Sequence, residues 1–227
     1  MLKMILIVAA TINEIKPLYD KLTLIDNNGI FFSSHLFKNT KIDILITGIG
    51  MTSTAYHLGK ITEINKYDFA LNLGIAGAFN RNLNIGDVVI VDNDVISEMG
   101  AENGNNFLKF NEMNIEQIHL KKSIYSIKNA YQINNPIIKS LSNVKGVTVN
   151  TIHGNKNSVE QIIKLFNPDV ETMEGAAFLK ICNIEKINCA QIRSISNFVT
   201  ERKLANWNIK LAIEKLNETA FEIIANL

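Results

Sequence analysis

Short apolar runs alternate with amphipathic segments along most of the chain. The apolar runs predict strands at 4–10, 42–47, 69–75, 87–96, 146–152 and 188–196. The amphipathic segments predict helices at 12–22, 51–64, 158–166, 174–184 and 206–226. Because most of the predicted strands are apolar on both faces, the alternation predicts an α/β fold with a mainly parallel sheet that helices cover on both sides.

Two segments depart from this alternation. Residues 23–38, which include Phe31 and Phe32, predict a hairpin rather than a crossover helix. Residues 97–145 give no clear helix boundaries, because Pro136 and many asparagines interrupt the pattern.

Composition narrows the class of protein. With 227 residues, 47% of them hydrophobic, and a net charge of +1, the chain fits one globular domain spanning 1–227. Its lysines are scattered among acidic residues, which argues against a nucleic-acid partner. The apolar start is too short for a signal peptide or a membrane span. Cys182 and Cys189 lack metal-ligand spacing and are typical of reduced core cysteines, so we expect a cytoplasmic protein with no bound metal.

Glycines follow two of the predicted strands, at the sheet edge where α/β proteins bind ligands. Gly48, Gly50 and Ser53 fill part of a dinucleotide-binding fingerprint, and Asp68 lies where a ribose-binding acid would be expected. The third glycine of that fingerprint is missing. Such glycines more often form a tight turn or let the backbone approach a sugar or an anion. Gly77 and its neighbour Gly74 are equally compatible with simple packing.

Two glutamates at strand-to-helix junctions carry candidate chemistry. Glu14 follows a strand that holds no charge, and Glu174 begins a helix of small and apolar residues. Each could merely complement a helix dipole. The alternative is a general acid/base in a dry pocket, paired with a carboxylate that binds the vicinal hydroxyls of a ribose.

Taken together, the motifs resemble the nucleoside phosphorylase and nucleosidase superfamily over almost the whole chain. The matching segments are AATINEI at the end of the first strand, the GIG turn, GIAGAFNRNLNIGDVVIVD, VETMEGAAF and the final strand with ISN. The resemblance implies a three-layer α/β/α fold with a central mixed, partly closed sheet. It also implies a homodimer or a larger homo-oligomer and no cofactor.

The resemblance also implies roles for individual residues. Phosphorylases of this fold carry an arginine in the first strand-loop; here no arginine precedes Arg81, so hydrolysis is favoured. Glu14 would polarise the attacking water with Arg193 beside it, and Met173 and Glu174 would bind ribose. The other implied substrate-binding residues are Gly50, Ala76, Gly77, Ile152, Ser196 and Trp207. Nucleosidases often have a serine where this chain has Ile75.

Asn197 indicates which base is released. Nucleosidases that cleave adenine nucleosides carry an aspartate at this position, whose acid form can protonate N7. An amide cannot transfer that proton; it can donate to a 6-oxo group and accept from a protonated N7, as a hypoxanthine or guanine leaving group requires. The alternative is an asparagine that only closes a turn.

The branch of the superfamily that combines these features is the futalosine hydrolases of menaquinone biosynthesis, which release hypoxanthine and dehypoxanthinyl futalosine. The chain resembles them in VISEMGAENGNNF at 95–107, TVNTIHG at 148–154 and, above all, SNFVTERKLANWNI at 196–209. Phe107, His153 and Trp207 are candidate pocket walls. The alternatives are a nucleosidase for methylthioadenosine, S-adenosylhomocysteine or aminodeoxyfutalosine, and a non-catalytic nucleoside-binding protein. The expected partners are a purine nucleoside and water.

Overall fold

The computed structural model describes residues 3–27, 29, 31–113, 126–130 and 134–227. The strands are β1 Lys3–Ala9, β2 Thr23–Asn27, β3 Phe32–Phe37, β4 Thr40–Ile46, β5 Phe69–Ala78, β6 Val88–Ile96, β7 Gly100–Asn103, β8 Asn106–Lys109, β9 Ser126–Lys128, β10 Ser142–Thr148, β11 Val170–Thr172 and β12 Cys189–Phe198. The helices are α1 Ile12–Tyr19, α2 Met51–Ile64, α3 Pro136–Ser140, α4 Lys156–Phe166, α5 Gly175–Ile184 and α6 Ile209–Ala225.

Ten of the described strands form one sheet in the order β11-β10-β6-β12-β5-β1-β4-β3-β2, with β9 added to β6. A further pairing joins β11 to β5, so β5, β12, β6, β10 and β11 make a closed ring. The strands β1 to β4 extend from this ring as an open, twisted edge. The predicted α/β fold with a partly closed sheet is therefore confirmed.

Helices pack on both faces of the sheet because strand side chains alternate between the faces. In β1, Ile5 and Ile7 join one apolar core with residues of α1, α3 and α6. Leu6 and Val8 of the same strand point the other way, into a core shared with α2 and α5. The result is the three-layer arrangement that the resemblance implied.

The expectation of a mainly parallel sheet is wrong. Parallel pairings join β1 to β4 and β5, β10 to β6 and β11, and β12 to β5. Antiparallel pairings, equal in number to the parallel ones among the described strands of this sheet, come from the β2–β3–β4 meander, from β9, and from β6 and β11 in the ring. The ring itself therefore combines parallel and antiparallel pairings.

The five predicted helices are present, and 23–38 contains the antiparallel strands β2 and β3 in place of a helix. Segment 97–145 holds the β7–β8 hairpin, β9 and the short helix α3, whose N-cap Asn135 accepts from two backbone N–H groups. Residues 114–125 and 131–133 of that segment lie outside the described residues.

Both cysteines are free and fully buried, as predicted for core cysteines. Burial and the neighbouring Cys189 raise the pKa of the Cys182 thiol. No helix within the described residues is long and apolar enough to cross a membrane.

Candidate active site

A cavity of about 320 Å³ opens at the carboxyl ends of β1, β5, β11 and β12. Its volume is in the range of small-molecule sites. Most of the residues expected at the site line it: Glu14, Ala76, Gly77, Ile152, Met173, Glu174, Ser196, Asn197 and Trp207. Gly50 and Arg193 are not part of the wall. Gly50 donates to the wall residue Glu174, and Arg193 lies behind the wall, near Glu14.

The Glu14 carboxylate is held by backbone groups at the start of α1. Its Oε2 accepts from the backbone N–H of Thr11 at 3.0 Å and from the Thr11 hydroxyl at 3.1 Å, which forms a capping box. Its Oε1 accepts from the backbone N–H of Ile75 at 3.3 Å. The residue that replaces the usual serine therefore still contacts Glu14, through its main chain.

Arg193 lies behind the cavity, fully buried in β12. Its guanidinium donates to the side-chain and backbone oxygens of Asn72 on the neighbouring strand. Burial lowers the pKa of Arg193, while Glu174 and Glu14 oppose that change and keep the group cationic. Gly74 leaves space between these groups: a Cβ there would lie 3.0 Å from both Arg193 Nη1 and Glu14 Oε1.

Glu174 caps the N-terminus of α5 and connects two loops of the site. Its Oε1 accepts from the backbone N–H of Gly50 at 3.0 Å. Gly50 has φ +100°, a conformation that favours glycine, and begins α2. Burial raises the pKa of the Glu174 carboxyl, against the opposing effects of Arg193 and the Gly50 N–H. The carboxylate is thus partly dehydrated and poised to accept hydroxyl hydrogen bonds.

Asn197 is buried at the end of β12. Its Oδ1 accepts from the Ser196 hydroxyl at 2.8 Å, and its Nδ2 donates to the Phe198 carbonyl at 3.2 Å. Ser196 Oγ also lies 3.2 Å from the Ala76 carbonyl. These contacts fix the amide, with its NH₂ group facing the backbone of Gly77.

One acidic residue of the cavity wall was not predicted. Glu171 in β11 is 5% exposed, and its Oε2 lies 2.8 Å from Nδ1 of His153. Both of its oxygens also accept from the His153 backbone N–H, at 3.2 and 3.3 Å. His153, suspected from the sequence as a pocket wall, is half-buried behind Glu171. The pairing of Glu171 with His153 is visible only in the structure, because the two residues are 18 positions apart in the chain.

The mouth of the cavity is apolar. Ile49 there is 63% exposed, and Trp207 faces it from the loop before α6. The Arg202 guanidinium lies 5.8 Å from the Trp207 ring, a cation–π contact. The Asn208 N–H donates to the Ser196 carbonyl at 2.8 Å and ties this loop to β12. Phe107 is not in the cavity wall; it packs in the β7–β8 hairpin against Gly100.

Known proteins are similar to the chain in sequence. The futalosine hydrolase of Thermus thermophilus is 25% identical over 194 residues, 83% of each chain. A 5′-methylthioadenosine/S-adenosylhomocysteine nucleosidase of Glaesserella parasuis is 26% identical over 202 residues, covering 83% of this chain and 82% of that one.

Solved structures share the fold at lower identity. The native futalosine hydrolase of Helicobacter pylori superposes with a TM-score of 0.84 at 18% identity, covering 100% of this chain and 99% of that one. A 5′-methylthioadenosine/S-adenosylhomocysteine nucleosidase of Helicobacter pylori gives 0.85 at 18% identity, with 100% of both chains covered. The family described as the phosphorylase superfamily matches residues 4–227. The chain therefore belongs to the phosphorylase superfamily.

Proposed function

We propose that this protein hydrolyses the N-glycosidic bond of futalosine, releasing hypoxanthine and dehypoxanthinyl futalosine for menaquinone biosynthesis. Relatives of the chain are named for hydrolysis of nucleosides, as futalosine hydrolase or as a nucleosidase. N-glycosyl hydrolase activity is common to both names, so the chain is an N-glycosyl hydrolase, and the choice of futalosine is the proposal.

The choice of futalosine as the substrate rests on the amide of Asn197 in the cavity wall. Its NH₂ group can donate to the 6-oxo oxygen of hypoxanthine, while its oxygen can accept from a protonated N7. An adenine leaving group presents an amine at the same place, which needs an acceptor there. The amide therefore suits the 6-oxo base better than the 6-amino base.

The carboxylates supply the remaining steps. Glu14, held at both oxygens by N–H groups, polarises a water for attack on the anomeric carbon. Glu174 accepts hydrogen bonds from the ribose hydroxyls, and these strengthen as positive charge develops on the sugar. Arg193 balances the two negative charges from behind the cavity and positions Glu14 and Glu174 rather than touching the substrate.

Hydrolysis is favoured over phosphorolysis by the composition of the wall. Phosphate binding in such sites needs cationic side chains. Among the described residues that line the cavity, none is a lysine or an arginine. Water, which needs only hydrogen-bond partners, is therefore the proposed nucleophile.

The runner-up is a nucleosidase for methylthioadenosine, S-adenosylhomocysteine or aminodeoxyfutalosine, because relatives with the first two substrates in their name match about as well in sequence and in fold. A non-catalytic nucleoside-binding protein is the third candidate. The two carboxylates Glu14 and Glu174, both at the cavity, favour an enzyme.

A product assay separates these candidates. The purified protein is incubated with futalosine, inosine, aminodeoxyfutalosine and methylthioadenosine, each with and without phosphate, and the released base is identified by chromatography. We expect hypoxanthine from futalosine without phosphate, and its loss in Glu14→Gln. Preferential release of adenine would contradict the proposal, and Asn197→Asp is expected to shift the preference in that direction. Release of no base would favour a binding protein.

We also propose that the chain acts as a single domain in a homodimer or larger homo-oligomer. Large apolar side chains are exposed at the cavity mouth and nearby elements, including Ile49 and Tyr56 at 63% and Phe31 at 50%. Burying such side chains is favourable and typical of subunit interfaces. Light scattering coupled to size-exclusion chromatography measures the mass; a monomer at micromolar concentration would contradict this.

A further inference from the structure

Three strands of the ring align three residues side by side. Gly77 in β5 is paired in register with Asn197 of β12 on one side and with Glu171 of β11 on the other. Laterally paired residues of a sheet point to the same face. Asn197 and Glu171 therefore both reach into the cavity, and both line it.

The residue between them lets the two side chains converge. A Cβ on Gly77 would lie 3.4 Å from Asn197 Nδ2, 3.5 Å from Glu171 Cγ and 2.8 Å from a Val199 methyl. Because Gly77 has no side chain, the amide and the carboxylate can lie close together above it. The two groups can therefore reach neighbouring atoms on one edge of the same purine.

The Glu171 carboxylate is fixed from behind and keeps acceptor capacity towards the cavity. An ionised carboxylate has only acceptors, so Nδ1 of His153 carries the hydrogen of their 2.8 Å contact. That bond occupies Oε2, whereas Oε1 accepts from the His153 backbone N–H at 3.2 Å. Each carboxylate oxygen can accept about two hydrogen bonds. Oε1 can therefore take a further one from a ligand.

The two candidate bases, hypoxanthine and adenine, differ at the ring nitrogen N1. A carboxylate can distinguish them there. Hypoxanthine carries a hydrogen on N1 and donates it. Adenine has a lone pair on N1, which an anionic acceptor repels. We propose that Glu171, held by His153, accepts the N1–H of the bound base and makes the site selective for 6-oxopurines. Asn197 recognises the O6 and N7 side of the same base.

This inference rests on the proposed function, since it assigns the base-selecting role in the same cavity. It also gives His153 a task. By donating to Glu171 from both its ring and its backbone, His153 positions the carboxylate without touching the base. A carboxylate oxygen that faces the N1 lone pair of adenine in this buried place is unfavourable, which is how a polar site rejects a close analogue.

The test compares two substrates that differ at the base. The values of kcat/KM for futalosine and for aminodeoxyfutalosine are measured with the unmodified protein and with Glu171→Gln. Loss of a charge-assisted hydrogen bond is expected to lower kcat/KM for futalosine about 10- to 100-fold. The glutamine amide can donate to N1 of adenine, so kcat/KM for aminodeoxyfutalosine should stay level or rise. An equal fall for both substrates, or no change in either, would overturn the inference.

Glu98→Gln is the matched control. The exposed Glu98 carboxylate accepts from the backbone N–H of Asn150, just before Ile152 and His153 in the chain, and it does not line the cavity. A glutamate that merely braces this loop would affect both bases alike. We therefore expect Glu98→Gln to leave the futalosine-to-aminodeoxyfutalosine ratio unchanged; a change as large as that of Glu171→Gln would count against base recognition by Glu171.

A binding measurement separates the inference from the proposed function. Calorimetric titration with hypoxanthine and adenine reports recognition of the base whether or not futalosine is hydrolysed. Tighter binding of hypoxanthine by the unmodified protein, with the preference reduced about tenfold or more in Glu171→Gln, supports the inference. Equal affinities in the unmodified protein, or an unaltered preference in the variant, would overturn it. Absence of futalosine hydrolysis alone would overturn only the proposed function.

Discussion

Asp94 is a fully buried carboxyl group in β6, beneath the start of α5. Its Oδ1 accepts from the Thr148 hydroxyl at 2.9 Å and its Oδ2 from Gln191 Nε2 at 3.1 Å. Burial raises the pKa of Asp94 to about 6, and these hydrogen bonds and the charge of Arg193 only partly oppose the rise. The folded protein therefore binds a proton there more tightly than the unfolded chain does.

The raised pKa makes the free energy of unfolding depend on pH. The ordinary value for an aspartate is 3.8, so a folded-state pKa of about 6 costs roughly 3 kcal/mol once the group is ionised. Between the ordinary pKa of 3.8 and the folded-state pKa of about 6, the folded protein binds a proton at Asp94 that the unfolded chain releases. This contribution to stability is complete below the unfolded pKa and is lost as the pH rises through about 6.

Replacing Asp94 by asparagine should remove that cost. The new NH₂ group needs an acceptor, and Gln191 Oε1 has no hydrogen-bond partner among the described residues. Rotation of the Gln191 amide would supply this acceptor. We expect Asp94→Asn to raise the free energy of unfolding by about 1 to 3 kcal/mol at about pH 7.5, and by much less at about pH 4.5.

Urea denaturation followed by circular dichroism at the two pH values measures this difference. Asp20→Asn is the control, because Asp20 is an exposed partner of Lys16 in a surface ion pair and contributes at most about 1 kcal/mol. An Asp94→Asn variant that is less stable than the unmodified protein at about pH 7.5 would refute the reasoning. A gain of the same size at both pH values would refute the link to titration.

Three further predictions concern the active site. Gly77→Ala should abolish measurable base binding in calorimetry, because its Cβ would lie 2.8 Å from a Val199 methyl and between the two base-binding side chains. Asn72→Ala should lower the free energy of unfolding in urea by about 2 to 3 kcal/mol, because the buried Arg193 guanidinium loses a hydrogen-bond acceptor. Burial raises the pKa of Glu174, and its ionised form binds the ribose hydroxyls. We therefore expect kcat/KM to fall on acidification at a pH above the usual glutamate range. A pH profile of kcat/KM that is flat down to about pH 4.5 would contradict this.

Much of the fold was predictable because its elements are long and strongly periodic. Helix α2 occupies the predicted 51–64, and α6 at Ile209–Ala225 lies within the predicted 206–226. The sheet's mixture of directions was not predictable from patterns, since an apolar strand has the same sequence signature whether its neighbour runs parallel or antiparallel. The resemblance supplied that feature.

Site residues that belong to a recognisable motif were predictable from the sequence. A site residue that only strand register places at the cavity was not. Glu14, Glu174 and Asn197 stand at recognisable strand ends, and all three line one cavity. Glu171 was missed because β11 has three residues, too few to show alternation. Its position beside Gly77 follows from closure of the ring, a contact that local sequence does not encode.

The hydrogen bond between Gly50 and Glu174 joins residues that are 124 positions apart in the chain. Ring closure by β11 and β5 is similarly remote, so the cavity is assembled from contacts of high sequence separation, which form slowly during folding. A nascent chain cannot bind a nucleoside until synthesis has passed β12. A nucleoside that binds the finished cavity clamps these distant segments together, so it should slow unfolding of the native protein as well as shift the equilibrium.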